Sequence, residues 1–374
     1  MPKFLFLRLG LAAALLALPA CQHHAPSDQP ATPPMSDFRT EKFYLSAAPA
    51  SADGYPTRII EGYFKRFDGQ TFHVPSGYYI AGSWGASGTA EVSGDEHQPA
   101  PDSLYLQWFS YAEDKFYEGR FQLPQRHMYD WLKAGWYNTD DRKTDTYNDL
   151  TVCLVPGGVA VVWLTGNQMK QLVGRYQAHK TPYDWRVYSA RPETRAQTVH
   201  ARRAEMSPAV RAQIAAGQLS SARWDAYLVK YPWKVEVLAQ TGLADQRGTE
   251  PLTLYNHYIE YLSAEQDTYP AANTKPAQEA FLDHVRQPMP KAVPQVMGLF
   301  VRNKYGEKHE IRVASLDERE TLAAFQALAA RHPTEPMVLR VEVDKLYTQY
   351  RLTLSNGFQT LPLDKAVVKS FEED

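Results

Sequence analysis

Cysteine is scarce: two of 374 residues, Cys21 and Cys153, too few for a disulfide framework. An excess of one charge is missing as well. Forty lysines and arginines face 42 aspartates and glutamates, a formal net charge of -2, whereas a nucleic-acid binder needs a basic stripe to neutralise phosphates. No apolar run reaches the roughly 20 residues of a membrane-spanning helix. The stretch from Val152 to Leu164 is broken by Pro156-Gly157-Gly158, a hairpin turn signal. There is no H-E-x-x-H, no C-x-x-C, no calcium loop, no phosphate-binding G-x-x-x-x-G-K-[ST] and no dinucleotide G-x-G-x-x-G. The string Gly82-Ser83-Trp84-Gly85-Ala86-Ser87-Gly88 lacks G-x-S-x-G spacing and reads as a mobile loop. Cys153 lies inside Thr151-Val152-Cys153-Leu154-Val155 and is expected as a small buried hydrophobe. The expectation is a non-enzyme with no catalytic residues, no metal and no cofactor.

The composition that remains is that of a globular protein: 44% hydrophobic residues, 21 glycines and 26 prolines, with length for two or more domains. At the N-terminus Lys3 and Arg8 precede a short apolar run, Leu9 to Leu18, and then Pro19, Ala20 and Cys21. This pattern predicts a signal peptide over residues 1–20. Leu18-Pro19-Ala20-Cys21 resembles a bacterial lipobox, with the unusual Pro19, and implies lipidation of Cys21 by acyl chains. Residues 21–40, with His23, His24 and several prolines, read as a lipidated N-terminus and flexible tether. Gln22 rather than aspartate after the cysteine implies sorting to the outer membrane, facing the periplasm. Forty basic residues less Lys3 and Arg8 leave 38 against 42 acidic ones, so the mature chain is mildly acidic.

Internal repetition shows at the level of pattern. Hairpin-like runs at 57–75, 103–124 and 149–166 are echoed at 252–269, 296–316 and 337–357, with a helix before the last member of each set. The offsets drift gently: Ile59 to Leu254 is 195, Leu104 to Val296 is 192 and Leu150 to Met337 is 187. A longer loop from Trp136 to Asn148 absorbs the drift. In the first helix Met128, Trp131 and Leu132 form one apolar stripe; in the second, Asp317 stands three residues before Glu320, and Leu322, Phe325 and Ala329 form the stripe. Between the sets, Ser207-Pro208 opens a helix carrying Val210 and Ile214, and a second from about Ser221 carries Trp224, Tyr227 and Leu228. The expected fold is α+β: two similar strand-rich units, each an antiparallel meander with one packed helix, over 41–200 and 235–374, joined by a helical connector over 201–234.

Twenty-three tyrosines and eight tryptophans supply core, a glycan groove or a protein interface. Those in predicted loops, Tyr78, Tyr79, Trp84, Trp136 and Tyr137, are candidate partner contacts. The acids Asp95, Glu96, Asp140 and Asp141 lie in the same loops and suit a basic partner.

The strings GYPTRIIEGYF (54–64), LYLQWFSYAEDKFYEGRFQLP (104–124), LTVCLVPGGVAVVWLTG (150–166) and the aromatic run from Trp224 to Trp233 are similar to bacterial lipoproteins catalogued as domain of unknown function twenty-nine thirty-one. Such relatives tend to be encoded near secreted antibacterial lipases. The resemblance therefore implies an immunity protein that inhibits a toxin of the type VI secretion system, a protein-protein interaction in the periplasm. The alternatives are a structural or assembly lipoprotein of the cell envelope, and a glycan-binding protein or enzyme.

Overall fold

Alternating and continuous apolar strings become the strands of four large sheets and two small two-stranded ones in the computed structural model, which describes residues 37–86, 89–138, 141–167, 169–189, 191–241, 248–267 and 269–372. The expected signal peptide, Cys21, the tether up to residue 36 and Asp140 lie outside the described residues. Asp37 to Thr40 form a turn, and Phe38 packs edge-on against Tyr129. The fold is α+β and strand-rich. No described helix is long and apolar enough to cross a membrane.

The first half runs through β1 (Ser46–Ser51), β2 (Thr57–Lys65), β3 (Ser103–Ser110), β4 (Lys115–Gln122), α1 (Gln125–Ala134), β5 (Asp149–Val155), β6 (Val159–Gly166) and β7 (Met169–Gln177). One sheet has the order β7-β6-β5-β1, with β1 parallel to β5. The other contains the antiparallel meander β4-β3-β2, flanked by the short strands 179–180 and 71–73. Leu150, Val152, Leu154, Ala160, Val162 and Leu164 point from the first sheet into a core shared with Leu104, Leu106 and Trp108 of the second and with Met128 and Leu132 of α1. The alternate residues Cys153, Val155, Val161 and Trp163 are also buried, on the opposite face. Burial on both faces explains why 150–166 reads as a nearly unbroken apolar run.

Three connector helices contribute to the same buried cluster: α2 (Arg195–Ala204), α3 (Pro208–Ala215) and α4 (Ala222–Tyr227). Ser207 caps α3 by accepting the Val210 amide at 3.3 Å, with Pro208 at the first helical position. Trp224 of α4 meets Tyr55 edge to face at 5.2 Å between ring centres.

The second half repeats the order: β8 (Tyr231–Thr241), β9 (Thr253–Tyr261), α5 (Lys275–Arg286), β10 (Pro294–Arg302), β11 (Lys308–Ser315), α6 (Glu318–Arg331), β12 (Met337–Val343), β13 (Tyr350–Ser355), β14 (Thr360–Pro362) and β15 (Val367–Glu372). Here β8 is parallel to β12, which continues through β13 to β14, while β9, β10 and β11 form the antiparallel meander. Helix α5 is an addition with no counterpart in the first half, whereas β15 pairs with the edge of β11 as the short strand 179–180 pairs with β4. β8 and β12 alternate buried with half-buried residues, as expected of a sheet covered on one face. Asp317 caps α6 through the Glu320 amide at 2.8 Å. The buried stripe of α6 is Thr321, Ala324, Phe325 and Leu328, one position away from the expected Leu322 and Ala329, which sit half-buried at its edge. Apolar residues occupy nearly every side of this alanine-rich helix, so its period leaves the phase open.

Candidate functional site at the junction of the halves

A segment just beyond β9 joins the halves. The chain turns at Tyr261 to Glu265, where the Ala264 amide donates to the Tyr261 carbonyl at 2.9 Å, and then returns along β9. Ala264 takes a positive φ of 65°, a conformation that costs an alanine about 1 kcal/mol. The first half grips this turn with two indoles. Trp84 Nε1 donates to the Leu262 carbonyl at 2.8 Å and Trp163 Nε1 to the Ser263 carbonyl at 3.0 Å, the two rings meeting edge to face. Gly85, at φ 67°, lies so close that an added Cβ would stand 2.3 Å from that of Ala264. Further on, the Tyr137 amide donates to the Tyr269 carbonyl at 3.0 Å.

The returning strand places Asp267 beneath β9. Its side chain is 8% exposed and accepts three donors: Tyr261 Oη at 2.8 Å, His257 Nε2 at 3.2 Å and His284 Nε2 at 3.2 Å. Helix α5, capped by Thr274, presents Phe281 and His284 three residues apart on one face. Phe281 stacks on the His257 ring at 4.0 Å. Burial opposes the charge on Asp267, but the two histidines outweigh it and hold the carboxyl well below its usual range. Burial pushes the His257 pKa down, against the pull of Asp267. It pushes the Tyr261 pKa up.

Because a carboxylate only accepts, each histidine carries its shared hydrogen on Nε2. His257 Nδ1 is then a bare lone pair, buried and without a hydrogen-bond partner, a state that costs about 1–3 kcal/mol. Nearby, Lys291 is buried with its ammonium on the carbonyls of Trp233, His284 and Met289. Burial lowers its pKa to about 8, with Asp267 opposing.

Two clefts open on either side of Asp267. One, of about 520 Å³, is lined by Lys230, Tyr261, Phe281, His284 and Lys291 among others. The second, of about 360 Å³, runs along β9 and includes Tyr137, Asn256, His257, Tyr258, Glu260 and Tyr269. Among the described residues no group of three or more His, Cys, Asp or Glu side chains has metal-holding geometry.

A family profile described as a protein of unknown function, DUF2931, matches residues 27–217, just over half of the chain. The chain belongs to the DUF2931 family. The match covers the first half and α2 and α3, and ends before the Trp224 to Trp233 run. DUF2931 is thus recognised in the first sandwich, while Asp267 and its partners lie beyond the matched residues. The curated proteins and the solved structures gave no match.

The residues proposed from sequence scatter over this framework. Trp84 and Tyr137 are brought to the two ends of the junction segment. Trp136 is a correction: at 1% exposure it is a core residue packed on Tyr147, because the loop after α1 folds back as a small hairpin, Trp136–Asn138 with Lys143–Asp145. Trp84 is also half-buried, and the loop expected to be mobile is pinned there. Tyr78 is exposed and Tyr79 half-buried beneath Arg202, and both line a surface groove of about 350 Å³. Asp95 is exposed but faces Arg66 and Lys42 at 3.9 and 3.8 Å; its neighbour Glu96 is exposed. Asp141 is exposed and pairs with Lys143 at 3.2 Å. Cys153 is fully buried and its pKa is pushed up to about 12 by that burial, as its apolar sequence context indicates.

Sequence reasoning missed His257, Asp267, His284 and Lys291. Their spacing matches no helical or strand period, and only the return of the chain along β9 and the placement of α5 bring them together.

Proposed function

We propose that this chain is a lipid-anchored periplasmic protein of the outer membrane that binds another protein, an antibacterial lipase-type effector of the type VI secretion system, and blocks it. The carrying observation is Leu18-Pro19-Ala20-Cys21 directly after a short apolar run behind Lys3 and Arg8. Acyl chains on Cys21, each contributing about 0.8 kcal/mol per buried CH₂, anchor a protein without a spanning helix. A toxin delivered to the periplasm must be met there, and an inhibitor needs only a rigid complementary surface.

Two surface features suit that role. The Tyr78 and Tyr79 groove offers aromatic area of low conformational cost, and the exposed turns bearing Asp95, Glu96 and Asp141 favour a basic partner. The interface is expected to exceed roughly 1,200 Å². Residues 22–374, lipid-free, should co-purify with the effector encoded beside this protein and inhibit it, and Tyr78→Ala with Asp141→Ala should weaken both effects. Failure to bind or inhibit that effector would overturn the proposal.

A further inference from the structure

We propose that the cleft along β9 is a binding site for a neutral carbohydrate, a mono- or disaccharide. Two observations converge on that chemistry. Tyr258, Tyr269 and Phe300 border the cleft, and flat rings cover the apolar face of a pyranose by stacking. Asn256 and Glu260 stand beside them on β9, an amide and a carboxylate able to exchange hydrogen bonds with hydroxyl groups. Behind them His257 is fully buried, with its Nε2 hydrogen committed to Asp267.

An anionic ligand is disfavoured, because the described residues lining this cleft include Glu260 and Asp267 and neither lysine nor arginine. At about 360 Å³ the cleft is at the small end of ligand sites, which limits the occupant to one or two rings. The site involves neither Tyr78 nor the acidic turns, so it stands or falls separately from toxin binding.

The test is calorimetric titration of residues 22–374 with maltose, cellobiose and N,N′-diacetylchitobiose, with glucose 6-phosphate as the charged comparison. At least one neutral disaccharide should bind with micromolar to millimolar affinity. Tyr269→Ala and Glu260→Ala should each weaken it by about tenfold or more, and Tyr305→Ala, in the exposed turn after β10, should leave it unchanged. Glu260 is exposed, so its variant keeps the fold if Tyr269→Ala does not. Absence of binding by all three disaccharides, binding by the phosphorylated sugar alone, or equal binding by the Glu260 variant would overturn the proposal.

Discussion

Asp267 is the most consequential single side chain in the described structure, because one buried carboxylate satisfies Tyr261, His257 and His284 at once. Its folded pKa lies below that of an unfolded aspartate. The stability it contributes is therefore complete above about pH 3.9 and is lost as pH falls toward the folded value. His257, depressed by burial, adds an earlier loss that starts as pH falls below about 6.5, where the unfolded chain gains a proton that the folded chain refuses. Urea denaturation across pH 7 to about 3 should accordingly show stability falling with acid. Asp267→Asn should cost about 2–4 kcal/mol at neutral pH and flatten the most acidic part of that fall; an unchanged profile would refute this account of the cluster. None of this was legible in the sequence. His257 sits in a strand-like run, LTLYNHYIEY, where a lone histidine carries no mark of its partner. Asp267 and His284 reach it only through a turn and a helix whose docking is tertiary. The burial of Cys153 was legible, since four apolar or β-branched neighbours surround it in one strand.

At the scale of elements, turn and cap chemistry made the hairpins and several helix starts readable. Pro156-Gly157-Gly158 does close β5 onto β6, with Gly158 at φ 74° and the Tyr117 ring 2.5 Å from where a Cβ would stand. Gly158→Ala should therefore cost about 2–4 kcal/mol, from left-handed strain and overpacking together. Asp317→Ala should cost about 1 kcal/mol through loss of the α6 cap. Thermal denaturation of the two variants checks both, and similar losses would contradict the different causes assigned. The two parallel strands escaped sequence reasoning for different reasons. Ser46–Ser51 is SAAPAS, small residues with a proline and little intrinsic strand preference, and it is held by pairing with β5 some hundred residues away. Tyr231–Thr241 alternates cleanly, but its first four residues overlap the helical connector expected over 201–234.

For the whole molecule, the matching order of elements means each half has its own pair of sheets, and the junction decides whether they behave separately. One buried cluster runs from Cys153 and Trp163 through Val210 and Trp224 to Trp233 and Phe325, and Trp84 and Trp163 both bond to the 262–263 turn. Residues 37–374 should thus unfold in a single cooperative transition. Two resolved transitions would show the halves to be energetically independent. The order of strands and helices was legible in the sequence through nearly constant offsets, yet the shared core was not, because contacts between halves leave no periodic trace. A pair of joined sandwiches suits the proposed role in recognition, and the central claim is that it recognises and silences a neighbouring toxin. The most direct measurement is the lipase activity of the effector encoded beside this protein, titrated with residues 22–374. Stoichiometric loss of activity is the predicted result, and full activity in the presence of excess protein would contradict the account.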